Sequence, residues 1–100
     1  MMAFSILSST EIALEVAARL KSRRLAQQLT QEGLARRSGV PLGTLKKFER
    51  SGQIAFVSFI RLAIALKDEG ALENLLLEEE FASLDELLER DKRPKRGRIK

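Results

Sequence analysis

An all-α fold is what the sequence predicts, and three observations carry it. Apolar residues recur at intervals of three and four from Ile12 to Leu66, the period of one face of a helix. No stretch alternates apolar and polar residues convincingly enough to read as a strand. Helix punctuation falls between the apolar runs, at Ser8-x-x-Glu11, Thr30, Gly39 with Pro41, and Ser51-Gly52. The expected architecture is five helices in one domain, then a short helical acidic arm and a disordered basic tail.

Ser8-x-x-Glu11 fits a capping box, so a first helix is expected from about Thr10 to Gln28, with Ile12, Val16, Ala17, Leu20 and Leu25 on its apolar face. Thr30 caps a short second helix, Gln31 to Arg37, that buries Leu34 and Ala35. Ser38-Gly39-Val40 is a turn in which Gly39 is free to take a positive φ. Pro41 suits the first position of a third helix, where its missing N–H is not needed, and Leu45 and Phe48 point inward from it up to about Arg50. After the break at Ser51-Gly52-Gln53, a fourth helix ends near Lys67 with Phe56, Phe59, Ile60, Ala63 and Ile64 as its apolar face. Leu72, Leu75 and Leu76 mark a short fifth helix. Ser83-x-x-Glu86 is a second capping box, opening a small helix with Leu87 and Leu88. The divisions are an N-terminal arm (1–9), a helical domain (10–77), an acidic leucine-rich arm (78–90) and a basic tail (91–100).

Composition narrows the function. The 100 residues include no Cys, His, Trp or Tyr. Without Cys there are no disulfides, and without Cys and His nearly every zinc pattern and the usual nucleophile–base pairs are gone. Carboxylates and lysines remain, but they form no recognisable acid/base or phosphate-cradling arrangement, so no enzyme, cofactor or metal is expected. The run Glu78-Glu79-Glu80 lacks a supporting His, and its neighbours point to different sides of a helix. The apolar start is too short for a signal sequence, and the run from Ile54 to Leu66 is too short for a bilayer span and is interrupted by Arg61. A cytoplasmic protein with no membrane partner is the expectation.

The net charge of +4 conceals three blocks. Residues 1–67 hold 11 basic and 4 acidic side chains, residues 68–89 hold 9 acidic and no basic ones, and residues 90–100 hold 7 basic and 1 acidic. A basic domain suits a polyanion, nucleic acid among them, although the same charge serves solubility.

The segment Leu29-Thr30-Gln31-Glu32-Gly33-Leu34-Ala35-Arg36-Arg37-Ser38-Gly39-Val40-Pro41-Leu42-Gly43-Thr44-Leu45-Lys46-Lys47-Phe48-Glu49-Arg50 resembles the helix-turn-helix of phage repressor and Cro-type regulators, the Xre family. The resemblance runs from about Leu20 to Lys67, with Ala55 to Leu66 similar to that family's fourth helix. It implies a lambda-repressor-like domain that lays its third helix in the major groove of duplex DNA. It implies a salt bridge between Arg24 and Glu49, and a phosphate beside Gln31 at the start of the second helix. It places Leu42, Gly43, Lys46 and Lys47 on the exposed face of the third helix, with Thr44, Arg50 and Gln53 toward the DNA backbone. Many relatives carry polar residues where this chain has Leu42 and Gly43. Direct base reading is therefore expected to be modest, with Lys46 or Lys47 donating to guanine, and phosphate and shape contributions to be larger.

The Asp/Glu-Leu segment around Ser83-Leu84-Asp85-Glu86-Leu87-Leu88 and the Arg/Lys-rich end give the whole chain a looser similarity to HipB-like regulators. Such proteins pair with HipA-type serine/threonine kinase toxins, and in some systems with a further small antitoxin. That similarity implies a homodimeric repressor of a palindromic operator and a HipA-like kinase as partner. A stand-alone phage- or plasmid-type repressor and a protein-interaction module with weak DNA binding remain the alternatives. The acidic arm could serve the dimer contact or cover a basic surface, and the tail could track phosphates or serve only solubility.

Overall fold

The Ser8 hydroxyl accepts a hydrogen bond from the Glu11 N–H at 3.1 Å, and the Glu11 carboxylate accepts one from the Ser8 N–H at 3.0 Å. This reciprocal pair starts α1, Ser9–Ala26, in a computed structural model that describes residues 3–77. The expected acidic arm and basic tail lie outside the described residues. Before α1 a 3₁₀ turn, Phe4–Ile6, sets the Phe4 ring under the Arg19 guanidinium, 4.7 Å from the ring centroid. The remaining helices are α2 (Gln31–Ser38), α3 (Leu42–Ser51), α4 (Phe56–Ala65) and α5 (Glu69–Glu73). Every regular element among the described residues is helical.

α1 packs on α3, α2 on α3 and α4, and α4 on α5. The core they enclose holds Ala17, Leu20, Leu34, Val40, Leu45, Phe48, Leu62 and Leu66. Leu34, Leu45 and Leu62 are each 0 % exposed, and burying a leucine so completely contributes roughly 1.5–3 kcal/mol. Phe48 of α3 meets Phe59 of α4 edge-to-face, with ring centroids 5.7 Å apart at 70°. Such a contact adds about 0.5–1.5 kcal/mol beyond area burial.

Several sequence expectations are corrected. Leu25 is 54 % exposed, because the last turn of α1 turns Arg24 inward to meet Glu49 and so swings the next residue outward. Leu62 and Ala63 of α4, and Leu66 just after it, are buried and Phe59 packs on the core, whereas Phe56 and Ile64 are exposed. That helix is apolar on almost every side, so its inward face is set by packing against α2 rather than by hydrophobicity. The fifth helix ends at Glu73; Leu75 and Leu76 lie beyond it and are exposed. Pro41 is the residue before α3 rather than its first, with ψ 141° still extended.

α1 and α4 stop earlier than expected for a common reason. Gln28 (φ 58°) and Lys67 (φ 62°) turn left-handed after them. The Leu29 N–H then reaches the Arg24 carbonyl at 3.1 Å, and the Asp68 N–H reaches that of Ala63 at 2.8 Å. Both ends are thus closed by the six-to-one hydrogen bond of a Schellman motif, made here without glycine.

Candidate nucleic-acid interface

α2 and α3 are joined by a turn whose parts have separate tasks. The Thr30 hydroxyl accepts from the Gly33 N–H at 2.9 Å and caps α2. Gly39 ends that helix at φ +76°, a backbone setting other residues resist. The Ser38 hydroxyl accepts from the Val40 N–H at 3.1 Å, and Val40 inserts into the core with 2 % exposure. The chain so redirected enters α3 with Leu45 and Phe48 buried.

Burying that side of α3 leaves the other side open. Gly43, Lys46, Lys47 and Arg50 are all exposed, and they stand at i, i+3, i+4 and i+7, one continuous stripe. Gln53 is exposed just beyond the helix, while Leu42 and Thr44 are half-buried on either flank of Gly43. Gly43 has nothing within 4 Å of where a Cβ would stand, so no contact within the described residues requires a glycine there. Among the described residues, Lys46, Lys47 and Arg50 take part in no ion pair. Pro41 supplies no side-chain cap, so the first-turn N–H groups of α3 point outward without one.

The stripe is held in place from below. Arg24 Nε and Nη2 donate to Glu49 Oε2 and Oε1 at 2.8 and 2.9 Å, with the two side chains 6 % and 5 % exposed. Arg24 Nη1 donates to the Leu29 carbonyl at 2.8 Å. Gln31 Nε2 donates to Glu49 Oε1 at 3.0 Å. A single buried carboxylate on α3 therefore binds the end of α1 and the start of α2. This network includes a residue whose part the sequence pattern does not foretell. Gln31 is expected to face a phosphate with its amide, and here one amide hydrogen is engaged with Glu49. An anion at that end would meet the second amide hydrogen and the helix's backbone N–H groups.

The helix-turn-helix pair also carries two cations that the sequence motif does not single out. Arg36 and Arg37 are exposed in the last turn of α2, so α2 and α3 together carry five basic side chains against Glu32 and the internally neutralised Glu49. Their signal is present in the charge pattern, but no motif position draws attention to it. On the other side of α1, Arg23 pairs with Asp68 through two hydrogen bonds, one of them 2.8 Å from Nε to Oδ2. That pairing, with its hydrogen bonds first and charge attraction second, raises the Arg23 pKa above its ordinary value.

Residues 20–67 match the helix-turn-helix family model, a span that takes in α2, the turn and α3 whole. Among curated proteins, no match to the chain is found. With the all-helical fold, the family match supports a DNA-binding transcriptional regulator. No helix among the described residues is long and apolar enough to cross a membrane.

Proposed function

We propose that the chain is a non-enzymatic repressor that binds a palindromic operator as a homodimer and inserts α3 into the major groove. The observation that carries this reading is the exposed stripe Gly43–Lys46–Lys47–Arg50, opposite the buried Leu45 and Phe48. Lys46, Lys47 and Arg50 supply donors for phosphates or guanine edges, and Gly43 lets the backbone approach closely. Thr44, Gln53 and the start of α2 at Gln31 would flank the contact. A symmetric dimer would place two copies of α3 about one helical turn of DNA apart. Within this reading the operator belongs to the protein's own operon, and a HipA-like kinase with its small antitoxin is the partner, on the similarity of the C-terminal composition.

Footprinting on the DNA upstream of the gene tests the repressor. Two protected half-sites about one turn apart are expected; uniform, sequence-indifferent protection would overturn it. The kinase partnership is tested separately, by co-purification with the product of the adjacent gene. One observation favours a second reading, a protein-interaction module with weak DNA binding. At the tip of α3, Leu42 and Gly43 offer no side-chain hydrogen bonds to base edges.

A further inference from the structure

An apolar groove of about 690 Å³ opens between α1, α4 and α5. Its walls include Val16, Leu20, Ile54, Phe56, Phe59 and Leu72, and Phe56 is 60 % exposed within it. Arg19 and Arg23 stand among the lining residues as its cations. None of the residues assigned to the DNA face lines it. A recess so apolar, on a domain with a well-filled core of its own, is suited to an apolar segment.

We propose that the groove is occupied by the chain's own acidic arm, through Phe81, Leu84, Leu87 and Leu88. Three observations select this occupant. The described chain ends at Leu77, two residues beyond Leu75, which itself lines the groove. The arm therefore begins at the groove's edge, and six residues from Leu77 to Ser83 span up to about 20 Å when extended. Next, the sequence pattern Ser83-x-x-Glu86 is that of a capping box, and on the helix it predicts Leu84, Leu87 and Leu88 would share one face at i, i+3 and i+4. Finally, the arm's carboxylates Glu78, Glu79, Glu80, Asp85, Glu86 and Glu89 are opposite in sign to Arg19 and Arg23. Each of those arginines already holds one acidic partner, Glu15 and Asp68, and each keeps further N–H donors for a second. Attachment two residues from a groove wall also gives the arm a high effective concentration that no separate partner shares.

The test is nuclear Overhauser spectroscopy on the full chain, with leucine and isoleucine methyl groups labelled. Contacts from the Leu84 and Leu88 methyls to those of Ile54 and Leu72 are expected, unchanged in intensity on tenfold dilution. In the L84S/L88S variant the Ile54 and Leu72 methyl resonances should shift, while those of Leu34 and Leu45 in the core stay in place. Absence of the contacts in the unsubstituted chain would overturn the proposal. So would contacts seen only between differently labelled chains in a mixed sample, which would assign the groove to a second copy. Groove resonances unmoved by L84S/L88S would overturn it as well.

Discussion

The Arg24 guanidinium and the Glu49 carboxylate form a two-bond ion pair that is almost wholly buried, joining the last turn of α1 to the last turns of α3. Two neutral partners complete it, the Leu29 carbonyl on Arg24 and the Gln31 amide on Glu49. A buried pair of this kind adds little over an apolar replacement of the same shape, yet breaking it from one side leaves a charge with no partner and no water. Its value here is positional, since it fixes where the exposed face of α3 stands relative to the start of α2.

Removing one partner should therefore destabilise the fold strongly. Glu49→Ala is expected to lower unfolding stability by about 3–5 kcal/mol, from an unpaired Arg24. Gln31→Ala, which removes one hydrogen bond to a charged group, should lower it by roughly 1.5–3 kcal/mol. Urea unfolding followed by circular dichroism ranks the two, and a Glu49→Ala loss no larger than that of Gln31→Ala would contradict the assignment.

Two left-handed glycines differ in what surrounds them. Gly39 (φ +76°) has nothing within 4 Å of the position a methyl group would take, so Gly39→Ala should lower stability by about 1–2 kcal/mol, from backbone strain alone. Gly52 (φ +77°) would place its Cβ 2.7 Å from the Ala13 carbonyl carbon of α1. Gly52→Ala should add to the same strain an overpacking penalty of about 1–3 kcal/mol. Thermal unfolding of both variants is the check, with Gly52→Ala expected to melt lower.

The Ser8–Glu11 capping box has a pH signature. Hydrogen bonds from the Ser8 N–H, and then from its hydroxyl, hold the exposed Glu11 carboxyl below its ordinary pKa. A depressed carboxyl contributes stability above its unfolded-state pKa, about 4.3, and loses that contribution as pH falls through the lower folded-state value. Ser8→Ala should cost about 1 kcal/mol by loss of the cap, whereas Glu11→Ala removes the titrating group, so its difference from the parent chain should shrink on acidification below about pH 4. Melting curves between neutral and acid pH measure this directly.

Gly43 separates folding from binding. Its methyl would enter open space, so Gly43→Ala should leave stability within about 1 kcal/mol of the parent or raise it, alanine being the better helix former. If the backbone there lies against DNA, affinity for duplex should fall while the melting temperature does not. Paired calorimetric and DNA-binding titrations of the variant distinguish the two effects.

Most of the helical order was legible in the sequence, because punctuation was written in residues with strong local preferences. Ser8, Thr30, Gly39 and the Ser51-Gly52 break mark ends that the structure places within about two residues of expectation. The ends of α1 and α4 also fall within about two residues of expectation, but the left-handed turns at Gln28 and Lys67 that close them use residues that carry no such signal. The inward face of α4 departs from the sequence pattern for a different reason: Phe56, Val57, Phe59, Ile60, Leu62 and Ile64 give hydrophobicity on several sides, and only tertiary packing chooses among them. At the candidate interface, the exposed spacing of Gly43, Lys46, Lys47 and Arg50 followed from the buried spacing of Leu45 and Phe48. The engagement of Gln31 with Glu49 did not, since it joins residues 18 apart through a geometry that no local pattern encodes.

Whether the cationic stripe of α3 meets duplex DNA is decided by affinity for promoter DNA across a range of salt. The parent chain is compared with K46A/K47A, whose substitutions lie on the exposed face and leave the core untouched. The variant is expected to fold normally, to bind at least about tenfold more weakly, and to show a salt slope shallower by up to about 2 where both lysines meet phosphates. A folded variant with the parent's affinity and the parent's salt slope would show that this stripe does not meet DNA.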